Sequence, residues 1–549
     1  MINFDALTLK AFISENYDYL KNAAIRKIQQ PSRREIILHL RNNGENKKFY
    51  ININPEFFHI CFSDKLQDRG VFVPNEAPMF CMLLRKYILN SKISEVKQPF
   101  GERILELYFE YKDALNETVT LCLAIELMGK YSNIVLYNKN DGIIIGCAHN
   151  VGEEKSKYRE LAGTLPYIYP EKQNKKDILN TNFEDFYFSG NIDENSFAYS
   201  VASEYFYITV PMVKQVIKYL EISDFNRNSI EKIYKKLQDT VSLRDFQPSC
   251  DKNFDEFSLV KNEQNNISNS VNEMIDNYFG QNQLKKILKQ RKSSLYTNID
   301  NQSKKLLKQI DIFKSKLSDI EKADNYRIKG DILMMNINIP VKEKVKLLNP
   351  YDNNLTEIEL DERYSVTQNA NRYYKLYKKT KSAVDYASSR IEELEEQLSE
   401  LEEQKFYTDI ASTVEEVNEI SQELGIKTTI EAKKNKKETI NLENYEIQGF
   451  KVYLGKNSTQ NDYLLSKVAS PTDYWFHPLN MHGAHVILKR NNFDVPEEVI
   501  LFCAKLAKRF AKNNNEAKIP IIYTERKYVK KAKAKIAFVT YKNEKEIYC

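Results

Sequence analysis

The sequence contains no long apolar run, and this absence excludes a transmembrane helix. No stretch approaches the roughly 18 apolar residues that a bilayer-spanning helix needs. Asp5 also interrupts residues 1–10, where a signal peptide would carry its apolar segment. We therefore expect a cytoplasmic protein that has no membrane partner.

The motifs for several chemistries are missing as well. The seven cysteines form no CxxC pair, so neither a zinc ribbon nor a disulfide framework is indicated, and we expect reduced thiols. There is no GxSxG, no phosphate-binding GxxxxGK[ST] loop and no GxGxxG. Acyl transfer, nucleotide hydrolysis and dinucleotide use therefore lack their usual motifs. We predict a protein without a cofactor or a metal.

An excess of one charge is missing from the total. The chain contains 81 Lys and Arg residues and 76 Asp and Glu residues, so its net charge is only +5. Any basic surface must therefore come from uneven placement of the cations. Hydrophobic residues make up 42% of the chain, which rules out wholesale disorder. The 549 residues are enough for roughly three or four domains.

Residues 1–170 have the pattern of an α+β domain. Alternating apolar residues predict strands near 24–30, 35–41, 47–53, 103–111, 118–128 and 132–138, with a turn at Asn43-Gly44. Helices are expected at 7–21 and 78–90, and Pro78 is placed to begin the second. In that helix one face carries Met79, Met82, Leu83 and Tyr87. Residues 171–280 show helical periodicity and predict a small helical domain.

Residues 281–412 predict an antiparallel coiled-coil hairpin. Its two seams step by three and four residues: Leu306, Ile310, Phe313, Leu317 and Ile320, then Val384, Ala387, Ile391, Leu394, Leu398 and Leu401. A small insert near 330–367 would form the tip. We expect the cations of residues 285–292 to lie opposite the glutamates of residues 392–403. A linker at 413–443 and a last compact α+β domain at 444–549 follow.

Three of the six histidines and the single tryptophan lie together at residues 473–485. The segment contains Asp473, Trp475, His477, His482, Gly483 and His485. Three interpretations are open. The histidines could ligate a metal, although their spacing matches no metal motif; the segment could be a tight structural turn; or the rings could offer flat faces to a nucleic-acid base, with Gly483 permitting close backbone approach.

A second cluster in this domain is basic. Its residues are Lys505, Lys508, Arg509, Arg526, Lys527, Lys530, Lys531, Lys533 and Lys535. A charge run is often only a solvated face. Because this one shares a domain with the tryptophan turn, it favours polyanion binding, in which several neutralised phosphates dominate the affinity. Such a patch would carry no sequence specificity.

Two shorter motifs lie in the first domain. Glu102-Arg103 begins a strand after the helix that carries Arg85, and Glu126 ends another strand at a turn. By composition alone, the first is a surface ion pair of small energy and the second is ordinary strand closure.

In their order along the chain, these pieces resemble the NFACT family. The resemblance is carried by residues 78–86 (PMFCMLLRK), 98–104 (QPFGERI), 126–133 (ELMGKYSN), 452–461 (VYLGKNSTQN), 473–477 (DYWFH), 483–486 (GAHV) and 538–541 (FVTY). It covers nearly the whole chain. It implies an amino-terminal NFACT-N domain similar in fold to the front of MutM-type DNA glycosylases, a helix-hairpin-helix region, the coiled coil and a carboxy-terminal NFACT-R domain.

The resemblance also implies a function and partners. Family members act in ribosome quality control: they bind the stalled large ribosomal subunit, through rRNA and stalk-region proteins, while it carries peptidyl-tRNA. They recruit alanyl-tRNA, and the ribosome itself adds a carboxy-terminal alanine tail that marks the nascent chain for degradation. The protein would then be no enzyme. Base excision is not expected, because glycosylases of the MutM kind need a proline after the initiator Met and Ile2 stands there.

Family motifs fall on particular residues of this chain. The family's Asp-Arg motif for tRNA handling falls on Glu102 and Arg103, and its Glu-Ile-Met motif falls on Glu126, Leu127 and Met128. Arg85, Asp473, Trp475, His477, Gly483 and His485 complete the expected tRNA contacts. One departure is the glutamate at 102, which keeps the charge but moves it by one methylene. Another is the segment 207–211, which lacks the usual helix-hairpin-helix glycine.

Two other functions remain open at this stage. Family members have been labelled fibronectin-binding adhesins, which would make fibronectin a partner. A metal-dependent hydrolase built on His477, His482 and His485 is the second alternative. We expect no DNA partner.

Overall fold

The structure is a computed structural model that divides into two compact units. It describes residues 4–112, 116–154, 156, 158–187, 193–261, 266–426, 442–490, 493–512, 514–531 and 539–549, without the side chain of Lys531. The first unit spans residues 1–287 and the second spans residues 288–549. No helix of the described residues is long and apolar enough to cross a membrane. All seven cysteines lie in the described part, and each is a free thiol.

The first unit begins with two antiparallel sheets. One contains β1 (Ala24–Ser32), β2 (Glu35–Asn42), β3 (Glu45–Asn52) and β4 (His59–Phe62). The other contains β5 (Ile93–Lys97), β6 (Ile104–Lys112), β7 (Thr118–Glu126), β8 (Asn133–Asn138) and β9 (Ile144–Cys147). The six strands predicted from alternation are confirmed. The three that sequence missed, β4, β5 and β9, are short and lack a long alternating pattern.

The turn at Asn43-Gly44 forms as its residues predict. Both residues have positive φ, 47° and 84°. A hairpin turn of this hand matches the right-handed twist of its strands, and asparagine and glycine tolerate it best. The turn therefore sets the register in which β2 and β3 pair.

Helices α1 (Ala6–Leu20) and α2 (Met79–Ile88) pack on these sheets. Pro78 is the N-cap of α2, as predicted. The shared face of Met79, Met82, Leu83 and Tyr87 is not the buried face of this helix. Phe80, Cys81, Leu84 and Ile88 face the core, whereas Met79 is 87% exposed. Two apolar stripes compete on this helix, and only the packing against β1 decides between them.

The rest of the first unit is mainly helical, as predicted. Its elements are α3 (Phe183–Phe186), α4 (Glu194–Glu204), α5 (Val210–Tyr219), α6 (Arg227–Val241) and the short strands β10 (Ser249–Cys250), β11 (Phe257–Ser258) and β12 (Asn266–Ile267). One apolar core continues from the sheets into these helices, since Phe12, Leu84, Val213 and Phe279 belong to the same cluster. The likenesses to a glycosylase domain and to a helix-hairpin-helix stay predictions.

Helix α7 (Val271–Leu317) begins in the first unit and ends in the second, and three further helices follow it in the second unit. These are α8 (Ile320–Met335), α9 (Val366–Ile410) and α10 (Val414–Glu423), with the hairpin β13 (Lys344–Leu348) and β14 (Leu355–Glu359) between α8 and α9. The predicted seam is present, because Ile310 packs with Ile391 and Leu394, flanked by Leu306, Phe313, Leu317 and Leu398. It ends before Ile320, which begins a new helix and is 55% exposed.

The predicted charge pairing along this seam was wrong. Lys285 and Lys286 pair with Asp255 and Glu56 of the first unit, and not with α9. The ion pairs between the arms join Lys314 to Glu395 at 3.3 Å and Asp300 to Lys405 at 2.8 Å. The apolar seam sets the register, because each exposed pair contributes less than about 1 kcal/mol.

The segment expected to be a linker begins with a helix. Thr413 and Glu416 form a capping box at the start of α10. Val417 and Ile420 then pack against Leu295 and Tyr407. Residues 427–441 of the expected linker lie outside the described residues.

The last domain is one antiparallel sheet with layers on both faces. Its elements are β15 (Glu443–Ile447), β16 (Phe450–Gly455), α11 (Ser458–Tyr463), β17 (Tyr474–Pro478), β18 (His485–Leu488), α12 (Glu497–Arg509), β19 (Pro520–Glu525), β20 (Lys530–Lys531), β21 (Val539–Thr540) and β22 (Lys545–Tyr548). The strand order is β15-β16-β18-β17-β19-β22. Strand alternation divides the core: Phe476 and Val486 face α12, whereas Trp475 and Ile487 face the layer that contains Leu464 and Val529.

Candidate nucleic-acid interface

A large groove opens in the first unit beside the end of β7. Its volume is about 1580 Å³, which exceeds the roughly 300–1000 Å³ of ordinary small-molecule pockets. Four parts of the chain line it: the β1–β2 turn, the start of α2, the turn after β7 and the segment that follows β9. The groove is therefore larger than an ordinary small-molecule pocket.

Exposed rings and cations stand at this groove. Tyr131 is 62% exposed and Tyr158 is 55% exposed. Arg33 and Arg34 of the β1–β2 turn are exposed, and so is Lys130, whose Nζ lies 4.9 Å from the centre of the Tyr131 ring. None of these three cations has an ion pair with another described residue. Aromatic faces beside free cations suit stacked bases joined by phosphates.

Glu126 lies in the wall of the same region but is completely buried. Its carboxylate accepts hydrogen bonds from Arg159 Nη1 at 2.8 Å and Nη2 at 2.6 Å, and from the Tyr167 hydroxyl at 2.9 Å. Burial would lower the pKa of Arg159, but the hydrogen bonds and charge of Glu126 raise it above its usual value. Glu126 therefore anchors the segment that carries Tyr158 to the sheet, and its expected contact with tRNA stays a prediction.

The two residues that follow have different positions. Leu127 is fully buried, and its backbone N–H donates to the carbonyl of Arg103 at 2.8 Å. Leu127 therefore joins β7 to the Glu102–Arg103 turn and cannot touch a ligand with its side chain. Met128 is half-buried and lines the groove.

Glu102 and Arg103 occupy a turn before β6 and do not line the groove themselves. Burial raises the pKa of Glu102, and hydrogen bonding from Gln173 with the charges of Arg103 and Lys175 opposes this rise. Burial lowers the pKa of Arg103, and Asp5 and Glu102 oppose that change. The Arg103 guanidinium lies 5.7 Å from the centre of the Phe58 ring. Both side chains are only partly exposed, and each has opposite charge nearby.

The Arg85 side chain is hydrogen-bonded to the backbone of β1. Its Nε and Nη2 donate to the carbonyl of Ile28 at 3.0 and 2.8 Å. The guanidinium therefore ties α2 to β1. Its charge remains, but these two donors are not available to RNA in this conformation.

The tryptophan turn of the last domain is a packed core and not an open face. Trp475 is fully buried. Its ring stacks on His477 at 5.5 Å with 6° between the planes, and His485 stands perpendicular to both rings. Trp475 and His485 are thus covered by other residues, and their expected contact with a base stays a prediction. The alternative of a structural turn fits the burial.

Burial also decides the charge of these histidines. Burial lowers the pKa of His477 to about 4, although hydrogen bonds with the backbone of Pro478 and Gly483 act in the opposite direction. It lowers the pKa of His485 well below the ordinary value as well. Both rings are therefore neutral near pH 7 and add no positive charge for phosphates.

Asp473 and Gly483 also have structural roles. The buried Asp473 carboxylate accepts from Lys489 Nζ at 2.6 Å, from the Arg490 N–H at 3.0 Å and from the Ser470 N–H at 2.7 Å. A side chain at Gly483 would overlap the Pro478 ring. The glycine is thus needed for packing within the turn.

The expected basic cluster divides between the two faces of the sheet. Lys505 and Arg509 are exposed on α12, where neither has an ion pair with a described residue, whereas Lys508 donates to the carbonyls of Ala517 and Cys549. The other cations follow β19, on the face of Val529. There Arg526 donates to the carbonyls of Leu465 and Val529, Lys527 pairs with Glu525, and Lys530 is exposed. Lys533 and Lys535 lie outside the described residues, as does the Lys531 side chain.

The histidine cluster does not look like a metal centre. Among the described residues, which include His477, His482 and His485, no group of three or more His, Cys, Asp or Glu side chains is arranged to hold a metal ion. The Nδ1 of His485 and the Nε1 of Trp475 are buried without a hydrogen-bond partner among the residues described.

Comparison with known proteins decides the family. The family description "NFACT N-terminal and middle domains" matches residues 5–441, and "NFACT protein RNA binding domain" matches residues 442–540. The chain belongs to the NFACT family. The resemblance recognised in the sequence motifs is confirmed.

Two relatives that align with the whole chain carry the same name. "Rqc2 homolog RqcH" of Bacillus subtilis (strain 168) is 25% identical over 567 residues, covering 100% of this chain and 98% of the relative. The protein of the same name from Streptococcus suis (strain 05ZYH33) is 29% identical over 569 residues, with the same coverage. Alignment over the full length means that these relatives have the same domain content as this chain.

Two solved structures each resemble about half of the chain. The N-terminal part of the fibronectin/fibrinogen-binding protein from Streptococcus suis covers 50% of this chain at 22% identity, with a TM-score of 0.42. The C-terminal part of the same protein covers 48% of the chain at 27% identity, with a TM-score of 0.37.

Sequence reasoning missed most of the groove. Arg33, Arg34, Tyr131 and Tyr158 come from three separated loops, and no spacing in the sequence connects them. The sequence did indicate Met79 and Met128, the first by helical pattern and the second by its family motif. Their shared position became evident only from the packing of α2 beside the end of β7.

Proposed function

We propose that this NFACT protein is a ribosome quality-control factor that binds stalled large ribosomal subunits and recruits tRNA to them. In this proposal the subunit carries peptidyl-tRNA, the recruited tRNA is alanyl-tRNA, and the added alanine tail marks the nascent chain for degradation. The names of the full-length relatives and the matching RNA-binding domain support it.

The single observation that carries the proposal is the groove of the first unit. Tyr131 and Tyr158 present faces on which unpaired bases can stack, and each such stack is worth about 1–3 kcal/mol. Arg33, Arg34 and Lys130 supply charge for the phosphates between those bases. An RNA loop presents bases and phosphates in this combination, whereas a duplex hides its bases. The groove therefore takes an unpaired segment of a folded RNA such as tRNA.

The last domain supplies a different contact in this proposal. Lys505 and Arg509 are four residues apart on α12 and share its outer face. They are suited to rRNA phosphates, which they would neutralise without reading bases. Because Trp475 is buried, this contact is electrostatic and not based on stacking.

We assign no catalytic step to the chain. Cys147 lines the groove, and burial raises the pKa of its thiol to about 11, which disfavours the nucleophilic thiolate. Peptide bond formation would belong to the ribosome. The chain would contribute binding and positioning of tRNA.

The test is co-sedimentation of the purified chain with large subunits, followed by sequencing of the bound tRNA. We expect enrichment of alanine tRNA. The double variant Tyr131→Ala/Tyr158→Ala should lose at least tenfold in tRNA affinity, because two stacking faces are removed. Tyr199→Ala is the matched control, since Tyr199 is 65% exposed on α4 and does not line the groove.

Two outcomes would contradict the proposal. One is a chain that ignores both tRNA and large subunits in low-salt buffer. The other is a groove variant that binds tRNA as the control does. Immobilised fibronectin, tested in parallel, distinguishes the adhesin alternative, because that function predicts saturable binding that the groove variant leaves unchanged.

A further inference from the structure

The turn between α4 and α5 is unusual in its backbone. Five residues connect the two helices, and Tyr207 in their middle has φ of 68°. L-residues other than glycine, asparagine and aspartate seldom adopt this left-handed conformation. A tyrosine held there needs contacts that compensate for the backbone strain.

Those contacts all come from residues near the start of the chain and from the loop before β6. The Tyr207 hydroxyl accepts a hydrogen bond from the backbone N–H of Gly101 at 2.9 Å. The Tyr207 ring meets the Phe100 ring edge-on at 5.4 Å, and Lys10 Nζ lies 5.0 Å from the centre of the Tyr207 ring. The turn is thus held through the side chain of Tyr207.

The neighbouring residue completes the fit. Phe206 packs edge-on against Phe100 at 5.3 Å and covers Gly101 so closely that a side chain at 101 would overlap its ring. Gly101 itself has φ of 74°. Gly101 and Tyr207, which both have positive φ, therefore lie in neighbouring segments that contact each other. The absence of a side chain at Gly101 makes room for the Phe206 ring.

Gly101 directly precedes Glu102 and Arg103. The same loop is held on its other side, where Gln98 Nε2 donates to the Glu102 carbonyl at 2.8 Å and the Leu127 N–H donates to the Arg103 carbonyl at 2.8 Å. The N–H of Gly101 is held by Tyr207. Together these bonds determine the direction in which Glu102 and Arg103 leave the backbone.

The donors of the α4–α5 turn are directed inward. The Phe206 N–H donates to the carbonyl of Lys176 at 3.0 Å, and the Thr209 hydroxyl accepts from the Met212 N–H at the start of α5. Thr209 and Pro211 line a cavity of only about 20 Å³, closed by Asp5, Thr8 and residues 257–260. A phosphate has no access there, although hairpins of this kind bind phosphate through open N–H groups and a helix N-terminus.

We propose that Tyr207 is a positioning residue for the Glu102–Arg103 turn, which is the predicted tRNA contact outside the groove, and that the α4–α5 turn is a lock on this contact and not a phosphate-binding hairpin. The inference rests on the proposed function for its ligand, tRNA. The lock itself does not depend on the proposed function, because it is a property of the protein without RNA.

The lock is tested without RNA by hydrogen exchange of the full-length chain. Tyr207→Phe removes only the hydroxyl that accepts from Gly101. We expect faster amide exchange in peptides covering residues 98–103 and little change elsewhere. Tyr199→Phe, the same chemical change at an exposed position of α4, should leave those peptides unchanged. Unchanged exchange in Tyr207→Phe would overturn the lock.

The positioning role is tested with tRNA in a double-mutant cycle. Tyr207→Phe should weaken tRNA binding about fivefold, the effect of one hydrogen bond. In an Arg103→Ala background the same change should weaken binding less than twofold, because the residue that Tyr207 positions is gone. Equal losses in both backgrounds, or no loss in the first, would overturn the positioning role. If the wild-type chain binds no tRNA, the proposed function is overturned. The lock can still be tested by hydrogen exchange, because that experiment needs no RNA.

Tyr207→Gly separates the lock from a phosphate-binding hairpin. It restores the residue usual in such hairpins and removes the backbone strain. A phosphate-binding turn would then bind tRNA more tightly and with a steeper salt dependence. The lock predicts the opposite: weaker binding, with the salt dependence no steeper than in the wild type. A gain in affinity would contradict the inference.

Discussion

Arg159 holds the buried carboxylate of Glu126 at two points, with Nη–Oε distances of 2.8 and 2.6 Å. Glu126 is completely buried, and the Arg159 side chain is 10% exposed. The pair joins β7 to the segment that carries Tyr158. The family's Glu-Ile-Met motif begins at Glu126, and in this chain that residue fastens a segment lining the groove to the sheet.

Arg159→Ala should destabilise the first unit. The substitution leaves the Glu126 carboxylate buried with only the Tyr167 hydroxyl bonded to it, and such a loss costs about 3–5 kcal/mol. Urea unfolding followed by far-UV circular dichroism measures it. Lys232→Ala, an exposed lysine on α6, is the control and should change stability by less than about 0.5 kcal/mol. Equal unfolding midpoints for the two variants would show that the pair is not a structural anchor.

Arg33→Ala/Arg34→Ala should reduce the salt dependence of tRNA binding. Each phosphate contact to a single strand contributes about 0.7 to the slope of log K against log[salt]. Removal of both arginines should therefore lower the magnitude of the slope by about 1.4. Fluorescence anisotropy with labelled tRNA at several salt concentrations measures it. The slope should be unchanged in Lys232→Ala, and an unchanged slope in the double variant would remove the β1–β2 turn from the interface.

Trp475 provides a direct optical test of its own burial. It is the single tryptophan of the chain and is fully buried beside His477. We expect blue-shifted emission, weak quenching by acrylamide and no change when tRNA is added. Unfolding in guanidinium should shift the emission to the red and increase the quenching. Strong quenching by tRNA would show instead that a base reaches the ring, as the turn's composition first suggested.

The last domain should lose stability as the pH falls below neutrality. The pKa of His477 is about 4 in the folded chain and about 6.5 as its ordinary value. Between these values the unfolded state binds a proton that the folded state does not, so stability decreases from pH 6.5 toward pH 4. The loss reaches about 3 kcal/mol for this group. Urea unfolding followed by Trp475 emission at pH 7.5 and pH 5 measures it.

His477→Gln is the control for this pH dependence. Because the amide does not titrate, the difference in stability between pH 7.5 and pH 5 should be smaller in the variant than in the wild type. Identical pH dependence in both proteins would show that His477 is protonated as easily in the folded chain as in the unfolded one.

Much of the fold could be predicted from local patterns. Six strands of the first unit follow from period-two alternation, Pro78 marks the start of α2, and the heptad seam places Ile310 against α9. These signals are local, since each depends on residues within a few turns or on a repeat within one helix. The motifs that indicated the NFACT family are local in the same sense.

The candidate site was less predictable. Helix α2 has two apolar stripes, and its sequence alone did not show that Met79 would be exposed. The acidic run of α9 suggested one charge register, whereas the apolar seam imposed another. The composition of residues 473–485 suits both a base-binding face and a buried cluster, and only the layer over β17 makes it the second.

The sequence by itself determined six strands of the first unit, the two helices packed on its sheets, the coiled-coil seam and the family, because backbone conformation and periodic burial depend on neighbouring residues. Tertiary structure alone decided that Glu126 is an anchor, that Trp475 is buried, and that Tyr131, Tyr158, Arg33 and Arg34 line one groove. The physical reason is that burial depends on what packs above a residue, and the covering residues come from distant parts of the chain.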